Sequence, residues 1–331
     1  MPKAQTIRDI AAKAGVAVCT VSRVLNNSDL VSKKTRKKVE KAIAECNYIP
    51  NEMARSLQRQ KSKTIALIIP DLSNPFYAEL FFGVEEVMSS EGYYIFVCNT
   101  KYLEENEHRY IKEMLAKGID GLIFMSLYYC GDEIFDLVRK NVASVAVQTY
   151  VKDMDLILTD TSRVVTEACN HLFELGHTKI AFICLDRAIT ADRLNAYISA
   201  HQAAGIAVRE EYIIDGYTAD TLGYMAVEKL LSLPEPPSAI QCINDYTAMG
   251  VYSALLELGL KIPEDISVIG YDDIKIAKIL NPPLTTISQP ILEMGRTAGE
   301  MLLQQIKRDQ IAREVHLPSR LIIRDSTSVP R

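Results

Sequence analysis

The residues most suggestive of chemistry lie between Thr6 and Asn26, where two short apolar stripes at helical spacing flank Gly15. Thr6 can cap a first helix, with Asp9 answering from its first turn. The stripes predict two amphipathic helices that pack on one another through Ile7, Ile10, Ala11, Ala14, Val21, Val24 and Leu25. A helix pair of this kind, with one polar and basic face, can enter the major groove of DNA.

The second helix should turn four side chains away from that core: Val18, Cys19, Ser22 and Arg23. A guanidinium such as that of Arg23 can hydrogen-bond guanine O6 and N7 together, and Val18 can contact a thymine methyl. Cys19 offers little hydrogen bonding, so an incidental surface position is a nearly equal alternative. Two helices around a glycine also occur in many small helical domains, so the pattern alone does not decide.

The distribution of charge favours the DNA hypothesis. The first 63 residues hold 14 Lys and Arg against 5 Asp and Glu, a net charge of +9. Because the whole chain carries −5, the remainder must carry −14. A basic segment attached to an acidic body can follow phosphates while the body stays clear of them.

The rest of the N-terminal segment continues the pattern. Ser32 can cap a third helix, which includes Thr35 and ends near Asn47 and Pro50. Residues 51–58 have helix-forming composition but are too few to be stable alone in water, and a polar stretch, 59–63, follows. We expect a helix there that forms only on a partner.

From Thr64 onward, short apolar runs alternate with helical patterns, which predicts parallel sheets in a doubly wound α/β arrangement. The expected buried strands are 65–69, 94–97, 121–124, 144–147, 180–183, 239–243 and 266–269, with a last strand at 321–324. The expected helices are 75–91, 104–117, 162–175, 191–204, 221–232 and 245–258. A chain of 331 residues, 48% hydrophobic, can fill two or three such units.

Several classes of protein are disfavoured. Seven scattered cysteines without a Cys-x-x-Cys pair suggest neither a disulfide framework nor a zinc site, and we expect them to be reduced and mostly buried. No apolar run is long enough to span a bilayer and the N-terminus lacks a secretory signal, so the cytosol is the expected location, with no membrane partner. No cofactor motif is present, so neither a cofactor nor a metal is expected.

Seven motifs, in this order, resemble the lactose-repressor and galactose-repressor family of bacterial transcription regulators along nearly the whole chain. They are TVSRVLN (20–26), VSKKTR (31–36), YIPN (48–51), ARSL (54–57), LGH (175–177), GYDD (270–273) and LTTI (284–287). The resemblance implies a helix-turn-helix headpiece (1–50), a hinge helix and linker (51–63), and a two-lobed body like a periplasmic sugar-binding protein (64–331). Lobe one would comprise about 64–161 and 289–320, and lobe two about 162–288 and 321–331.

The resemblance also implies DNA-contacting residues. Base contacts would come from Val18, Cys19 and Arg23, and phosphate contacts from Thr20, Ser22, Asn26 and Thr35, with Thr6 at the same interface. Hinge residues Asn51, Ala54 and Leu57 would approach the minor groove, and Leu57 would insert between base steps. A leucine that only packs a linker is the alternative. Insertion requires a homodimer and a near-palindromic operator, and no leucine-heptad tail follows for a tetramer.

A small-molecule site is expected where ligands sit in open parallel sheets, beyond the carboxyl ends of the strands. Polar and aromatic residues follow the predicted strands and suit a sugar effector: Asp71, Asn74, Phe76, Tyr77, Ser126, Gln148, Arg187, Arg193, Asn244 and Asp272. The family resemblance favours Arg193, Asn244 and Asp272, while Gln148 stands where aspartate is usual. Polar residues in such loops can also simply meet water, and Arg187 can equally pair with surface carboxylates.

Three other functions remain to be weighed. A sugar-binding transport component shares the two-lobed body, but residues 1–61 argue against it. An enzyme would need acid–base groups such as Asp71, His171, His177 or Asp272, yet no catalytic motif accompanies them. A DNA-binding protein without any effector would show no ligand-dependent change in operator affinity. The sequence therefore predicts an effector-controlled DNA-binding regulator, most simply a repressor.

Overall fold

The computed structural model describes residues 5–26, 29–48, 61–125, 132–216, 219–307 and 313–331. The chain divides into two compact units, one ending at Ser62 and the other beginning at Lys63. The predicted hinge residues Asn51, Ala54 and Leu57 lie outside the described residues, as does Ser126.

The first unit contains three helices: α1 (Ile7–Ala14), α2 (Val18–Leu25) and α3 (Lys33–Glu45). Their shared core confirms the predicted stripes, although Ile7, Ala14 and Leu25 are only partly buried at its rim. Helices of eight residues are marginal alone in water, so this core must stabilise them. Its fully buried members are Ile10, Ala11, Val21, Val24, Val39 and Ala42.

Two of the three headpiece helices are capped as predicted. Thr6 N donates to Asp9 Oδ2 at 2.8 Å while Thr6 Oγ1 accepts from Asp9 N at 3.4 Å, and Ser32 Oγ accepts from Thr35 N at 3.3 Å. Gly15 ends α1 with φ 65°, a left-handed conformation that glycine adopts without strain. Helix α2 differs, because it begins after Ala17, whose side chain cannot accept a hydrogen bond.

The second unit begins with a six-stranded sheet, here called the first lobe, whose strands all run parallel in the order β11-β5-β4-β3-β1-β2. The strands are β1 (Thr64–Ile69), β2 (Tyr94–Asn99), β3 (Gly121–Phe124), β4 (Ala143–Val147), β5 (Asp155–Thr159) and β11 (Glu314–Leu317). One face packs on α4 (Pro75–Ser90) and α11 (Ile291–Lys307), and the other on α5 (Glu104–Ala116) and α6 (Asp132–Asn141).

The second lobe is another six-stranded sheet, in the order β12-β10-β9-β8-β6-β7, in which only β12 runs antiparallel to its neighbour. Its strands are β6 (Ile180–Leu185), β7 (Ile213–Gly216), β8 (Ala239–Cys242), β9 (Ser267–Asp272), β10 (Thr285–Ser288) and β12 (Arg320–Ile322). Its helices are α7 (Thr161–Glu174), α8 (Ala191–Ala203), α9 (Ala219–Leu231) and α10 (Asp245–Glu257), with short 3-10 turns at Glu210–Tyr212 and Lys275–Lys278. The two doubly wound sheets confirm the predicted fold class.

The chain passes between the lobes three times: between β5 and α7, between β10 and α11, and between β11 and β12. Because each parallel strand points its carboxyl end toward the following helix, residues at these passages lie where the two sheets face one another.

Some elements were not predicted from the sequence. Strands β5, β7, β10 and β11 and helices α6 and α11 were not predicted, and the last strand lies at Arg320–Ile322 rather than at the predicted 321–324. The missed strands have only four or five residues, and β10 (Thr285–Ser288) is polar in sequence although Thr285 and Thr286 are fully buried. Hydrophobic pattern alone cannot distinguish such short segments from loops.

Strand β2 was predicted to be buried, and this is wrong. Tyr94 is 76% exposed, Phe96 49% and Val97 37%. The strand lies at the edge of its sheet and pairs with β1 alone, so much of its apolar surface lacks a covering helix.

Close helix contacts hold each lobe together. In the first lobe, a Cβ added to Gly295 of α11 would lie 2.2 Å from Leu80 O of α4, and one added to Gly83 would lie 2.2 Å from Leu292 O. Gly223 of α9 similarly meets Thr247 O of α10 at 2.0 Å. These backbones approach too closely for any side chain, which fixes the helix pairs that flank each sheet.

The C-terminal segment is fastened to the second lobe by two histidines. His177 Nε2 bonds Ser328 O at 2.8 Å and its Nδ1 bonds Ser238 Oγ at 2.8 Å, while His171 Nε2 bonds Thr327 Oγ1 at 3.0 Å. Burial lowers the pKa of both histidines, which favours their neutral forms. Both rings therefore serve to hold the C-terminal segment against the second lobe.

Cysteines and helix lengths agree with the composition. Four of the six described cysteines are buried, with Cys46 partly exposed and Cys19 exposed, and none of these six forms a disulfide. Within the described residues, no helix has both the length and the apolar character needed to cross a bilayer.

The uncapped start of α2 gives a direct test. Ala17→Ser should let the new hydroxyl accept from the first turn of α2 and stabilise the headpiece by ~0.5–2 kcal/mol. Hydrogen exchange of the full-length protein, followed by mass spectrometry, should then show slower exchange across α2. Ala44→Ser, on the exposed face of α3 away from its start, is the control and should not increase protection. Equal exchange in α2 for Ala17→Ser and the parent protein would contradict the assignment.

Candidate DNA-binding face and ligand cleft

Helix α2 presents the predicted base-contacting residues on one outward face. Val18, Cys19 and Arg23 are exposed, while Val21 and Val24 on the opposite side are buried. Residues four apart lie one turn apart on a helix, so Cys19 and Arg23 are neighbours, as are Val18 and Ser22. The face therefore combines a fork of donors with small apolar and hydroxyl groups, the chemistry needed to distinguish base edges.

A depression of about 330 Å³ beside α2 brings other predicted contacts together. Thr20 and Arg23 line it from α2, and Ser32 and Thr35 from the start of α3. Hydroxyl groups next to a helix N-terminus and a guanidinium are suitable donors to a phosphate backbone. Asn26, at the end of α2, is exposed, and Thr6 is exposed at the start of α1.

A larger cleft of about 750 Å³ lies between the two lobes of the second unit. Residues from both sheets line it at the carboxyl ends of their strands, among them Gln148 after β4, Ile243 after β8 and Asp272 at the end of β9. This volume is within the range of small-molecule sites, roughly 300–1,000 Å³. The cleft therefore lies where the topology predicts a ligand.

Seven of the ten predicted effector residues line this cleft: Asn74, Phe76, Tyr77, Gln148, Arg193, Asn244 and Asp272. Two others do not, which corrects the prediction. Asp71 accepts from Ser73 N at 3.0 Å and Ser73 Oγ at 2.7 Å and so holds a turn. Arg187 donates to Asp215 Oδ1 at 2.9 Å and to Glu210 Oε1 at 2.6 Å. It therefore pairs with surface carboxylates, which was the alternative interpretation of this residue.

Other lining residues were not predicted, in part because strand β5 was not recognised in the sequence. They include Tyr150, Leu158, Thr159, Asp160, Ser162, Ile189, Thr190, Asp192, Asn195, Ser199 and His316. The sequence signal was present at Asp160, a carboxylate directly after an apolar run and directly before a helical pattern.

Aromatic and apolar side chains form part of the wall. Phe76 and Tyr77 stand edge to face, with ring centroids 5.2 Å apart, and both are almost fully buried. Burial raises the pKa of Tyr77 well above its usual value, so the hydroxyl stays protonated and can donate. With Met125, Leu158 and Ile243, this wall can accept the apolar face of a ligand.

Arg193 is held in a fixed orientation. Its guanidinium lies over the ring of Tyr271, 3.7 Å from the centroid, and Nη1 donates to the carbonyl oxygen of Ile243. Stacking and the hydrogen bond together limit the rotamers of a long side chain, so its remaining donors are presented to the cleft at low entropic cost.

A chain of hydrogen bonds joins the lobes at the cleft. Gln148 Nε2 donates to Thr159 Oγ1 at 2.9 Å and to Gln289 Oε1 at 3.0 Å, and Gln289 Nε2 donates to Asp272 Oδ1 at 2.7 Å. Gln148 and Thr159 belong to the first lobe, Asp272 to the second, and Gln289 to the passage between them. We call these four residues the interlobe relay. Two members, Gln148 and Asp272, were predicted from the sequence, and Gln289 and Thr159 were not.

The backbone at this site is strained. Gln148, Asp272 and Asp273 have φ of 55°, 119° and 57°, in the left-handed region that residues with a Cβ seldom occupy. Arg324 bonds Asp273 Oδ1 at 2.6 Å and holds that turn. Such strain persists only where surrounding contacts impose it, and it is concentrated at functional sites.

Neighbouring Asp245 has a supporting role. It is fully buried and accepts from Thr286 Oγ1 at 2.6 Å and Ile274 N at 2.9 Å, which ties α10 to β10 and to the loop after β9. Burial raises its pKa well above the usual value. It thus helps to position Asp272 without lining the cleft.

Asp272 itself gives a pH test. Burial raises its pKa to about 7, against the opposing effects of Arg193 and the hydrogen bond from Gln289. Because the unfolded carboxyl titrates near ~4, the folded state holds the extra proton between about pH 4 and 7, and this contribution to stability is lost as pH rises through 7.

Asp272→Asn should therefore reduce the fall in unfolding free energy between pH 4 and pH 8. The difference in stability between the variant and the parent protein should be more favourable to the variant at pH 8 than at pH 4. Urea unfolding of both proteins at several pH values measures the difference. A difference that does not change with pH would contradict the raised pKa.

Comparison with known proteins agrees with this geometry. Residues 6–51 match the family model for bacterial regulatory proteins, lacI family, and residues 169–327 match a periplasmic binding protein-like domain. The HTH-type transcriptional repressor CytR of Escherichia coli strain K12 is 36% identical over 329 residues, covering 98% of this chain and 96% of that protein.

Solved structures give the same result. The Lac repressor dimer bound to operator and the anti-inducer ONPF has a TM-score of 0.85 and 29% identity, covering 98% of this chain and 100% of that one. The complex of the transcriptional regulator CelR with cellobiose has a TM-score of 0.71 and 28% identity, covering 97% and 99%. This chain belongs to the lacI family of bacterial regulatory proteins and is a DNA-binding transcriptional regulator rather than an enzyme.

Proposed function

We propose that this protein is a cytoplasmic repressor that binds a near-palindromic operator as a homodimer, and that a small carbohydrate in the interlobe cleft changes its operator affinity. The main observation in support of the proposal is that one chain contains two different sites. A basic headpiece exposes Arg23 beside small polar groups, and an acidic body encloses a polar and aromatic cleft.

Operator contact is supported by the chemistry of the α2 face. Arg23 supplies a bidentate donor for guanine, and Val18 supplies an apolar surface for a thymine methyl. Thr20, Ser22, Asn26 and Thr35 supply hydroxyl and amide donors for phosphates. One headpiece reads only a few base pairs, so useful specificity requires two copies on a two-fold site.

A carbohydrate effector is supported by the composition of the cleft. Carboxylate and amide oxygens accept from vicinal hydroxyls, Arg193 can donate to two of them, and Phe76 with Tyr77 can cover an apolar ring face. The related regulator CelR was solved with cellobiose, which is consistent with this chemistry.

A homodimer is supported by apolar surface that the described chain leaves uncovered. On the first lobe, Tyr94 is 76% exposed and Phe82 is 56% exposed. On the second lobe, Leu256 is 80%, Ile279 79% and Met225 63% exposed. Exposed apolar residues on an edge strand and on helices of both lobes are suited to burial against a second copy.

The proposed coupling of effector to operator depends on the interlobe relay. A ligand that bonds Asp272 competes with or strengthens the bond from Gln289, and so alters the balance between lobe arrangements. In a dimer, the lobe arrangement sets the separation of the two segments 51–63, including Leu57, and thereby the operator affinity.

A gel-shift assay on the DNA upstream of the protein's own and neighbouring genes tests the proposal. Free sugars and nucleobases are titrated into the binding reactions. Arg23→Ala should abolish preference for one fragment over random duplex while leaving weak, salt-sensitive binding. Arg8→Ala, an exposed cation on α1, is a matched loss of charge that should weaken binding to all sequences more evenly.

Two outcomes would contradict the proposal. Preference for the operator unchanged in Arg23→Ala would remove the assigned α2 contact. An operator affinity that no tested compound alters would favour a DNA-binding protein without an effector.

The dimer has its own test. Tyr94→Asp combined with Leu256→Asp places carboxylates on the exposed apolar surface of both lobes and should convert dimer to monomer in sedimentation at micromolar concentration, with loss of specific operator binding. Ala116→Asp combined with Gln202→Asp, at exposed positions on α5 and α8 outside the cleft lining, adds the same two carboxylates and is the control that should leave the dimer intact. A parent protein that sediments as a monomer would contradict the proposed assembly.

A further inference from the structure

The helix N-termini at the cleft determine whether a phosphate can bind there. In α/β folds, phosphates bind where a helix begins after a strand, because free backbone N–H groups point at the ligand and the helix dipole favours negative charge. Among the described helices, four have an N-cap residue that lines this cleft: α4 at Asn74, α7 at Asp160, α8 at Thr190 and α10 at Asn244.

At three of these N-termini, the side chain of the N-cap residue already bonds one of the free backbone N–H groups. Asn74 Oδ1 accepts from Phe76 N at 3.0 Å, Asp160 Oδ1 from Arg163 N at 3.1 Å, and Asn244 Oδ1 from Thr247 N at 2.7 Å. The side chains therefore take positions that a phosphate oxygen would need. The fourth helix, α8, has no side-chain cap but carries the carboxylate of Asp192 in its first turn.

The charges that line the cleft are also unfavourable to an anion. Asp160, Asp192 and Asp272 line it, and Arg193 is the only Lys or Arg among its described lining residues. Asp160 is paired with Arg163 at 3.3 Å, so the carboxylates of Asp192 and Asp272 are the charges that a phosphate would meet beside Arg193.

The one arginine is already engaged. Arg193 lies flat over Tyr271 and donates to the carbonyl oxygen of Ile243. It also lies close enough to Asp272 to lower that group's pKa, against the larger effect of burial. Its charge is therefore shared with a carboxylate, and a bidentate clamp on a phosphate would require it to leave its stacked position.

Hydrogen-bond acceptors are abundant in the same space. Asp272 has one carboxylate oxygen bonded by Gln289 Nε2, and its second oxygen can accept from a ligand. Asp192 and Asn195 follow on α8, and Ser199 adds a hydroxyl one turn further on. A molecule rich in hydroxyl donors fits this set, and its apolar face fits Phe76 and Tyr77.

We propose that the effector is an uncharged, polyhydroxylated molecule without a phosphate group, and that the self-capped helix N-termini and acidic lining of the cleft exclude phosphorylated forms of the same compound. The shared chemistry is a set of vicinal hydroxyls, supplied by a free sugar or by the ribosyl group of a nucleoside. This inference rests on the proposed effector function and narrows its ligand class.

Matched pairs of compounds test the inference by calorimetric titration of the full-length protein. The pairs are ribose and ribose 5-phosphate, glucose and glucose 6-phosphate, cytidine and cytidine monophosphate, and adenosine and adenosine monophosphate. At least one unphosphorylated member should bind, and its phosphorylated partner should bind at least tenfold more weakly. Binding of nucleosides but not of ribose would assign the nucleoside source, and binding of a free sugar would assign the sugar source.

Variants identify the cause of the discrimination. Asp192→Asn removes one negative charge beside α8 and should narrow the affinity ratio between the two members of the binding pair. Glu300→Gln removes an equal charge at an exposed position on α11 and should leave the ratio unchanged. Raising the salt concentration from 20 to 500 mM should also narrow the ratio, because screening weakens the repulsion.

The inference is overturned if a phosphorylated member binds as tightly as its partner or more tightly, or if no unphosphorylated member binds. A distinct result concerns the proposed function: if a compound binds as expected but leaves operator affinity unchanged, the ligand class stands and the regulatory role fails.

Discussion

The hydrogen-bonded chain Thr159–Gln148–Gln289–Asp272 is the constraint on which the body of this protein depends. It joins β5 and β4 of the first lobe to β9 of the second through Gln289, on a passage between the lobes. Gln148 matters because its amide nitrogen carries two hydrogens and donates to both Thr159 and Gln289. An aspartate at the same position could only accept when ionised, and Gln289 would then have to turn its own amide away from Asp272.

The hydrogen bond that Gln289 donates to Asp272 explains how this carboxylate can be buried and still accept a hydrogen bond from a ligand. Gln289 and Arg193 counter the burial that raises the pKa of Asp272, so its proton is readily given up at neutral pH. A ligand that donates to Asp272 then uses the same carboxylate that accepts the hydrogen bond from Gln289, which joins the lobes. Binding energy in the cleft is thereby linked to the lobe arrangement.

The two parts of the chain were not equally predictable from sequence. The headpiece was predicted well because its helices are determined by residues close together in sequence. Thr6, Asp9 and Ser32 are residue types that cap helices, and the apolar residues that form the core, such as Ile10 and Val21, lie at helical spacing. The alternation of apolar runs with helices also gave the doubly wound sheets. Strand β10 was missed because its buried threonines resemble a loop in pattern, and β2 was misjudged because exposure at a sheet edge depends on strand order, which no local pattern contains.

Only those cleft residues whose position follows from the sheet topology could be predicted from the sequence. Asn244 follows shortly after β8 and Asp272 ends β9, so the rule for open sheets located them. Arg187 fulfils the same rule but is drawn away by Glu210 and Asp215, which are 23 and 28 residues distant in sequence. Gln289 could not have been found, since its role depends on two partners 141 and 17 residues away.

The most direct test of the relay is a double-mutant cycle of Gln148→Ala and Asp272→Ala, measured by urea unfolding at pH 7 in the parent protein and in a Gln289→Leu background. Because both residues bond Gln289, their changes in unfolding free energy should be non-additive by about 0.5 kcal/mol or more, and additive once Gln289 is replaced. Additivity within ~0.3 kcal/mol in the parent protein would show that the four residues do not act as one unit.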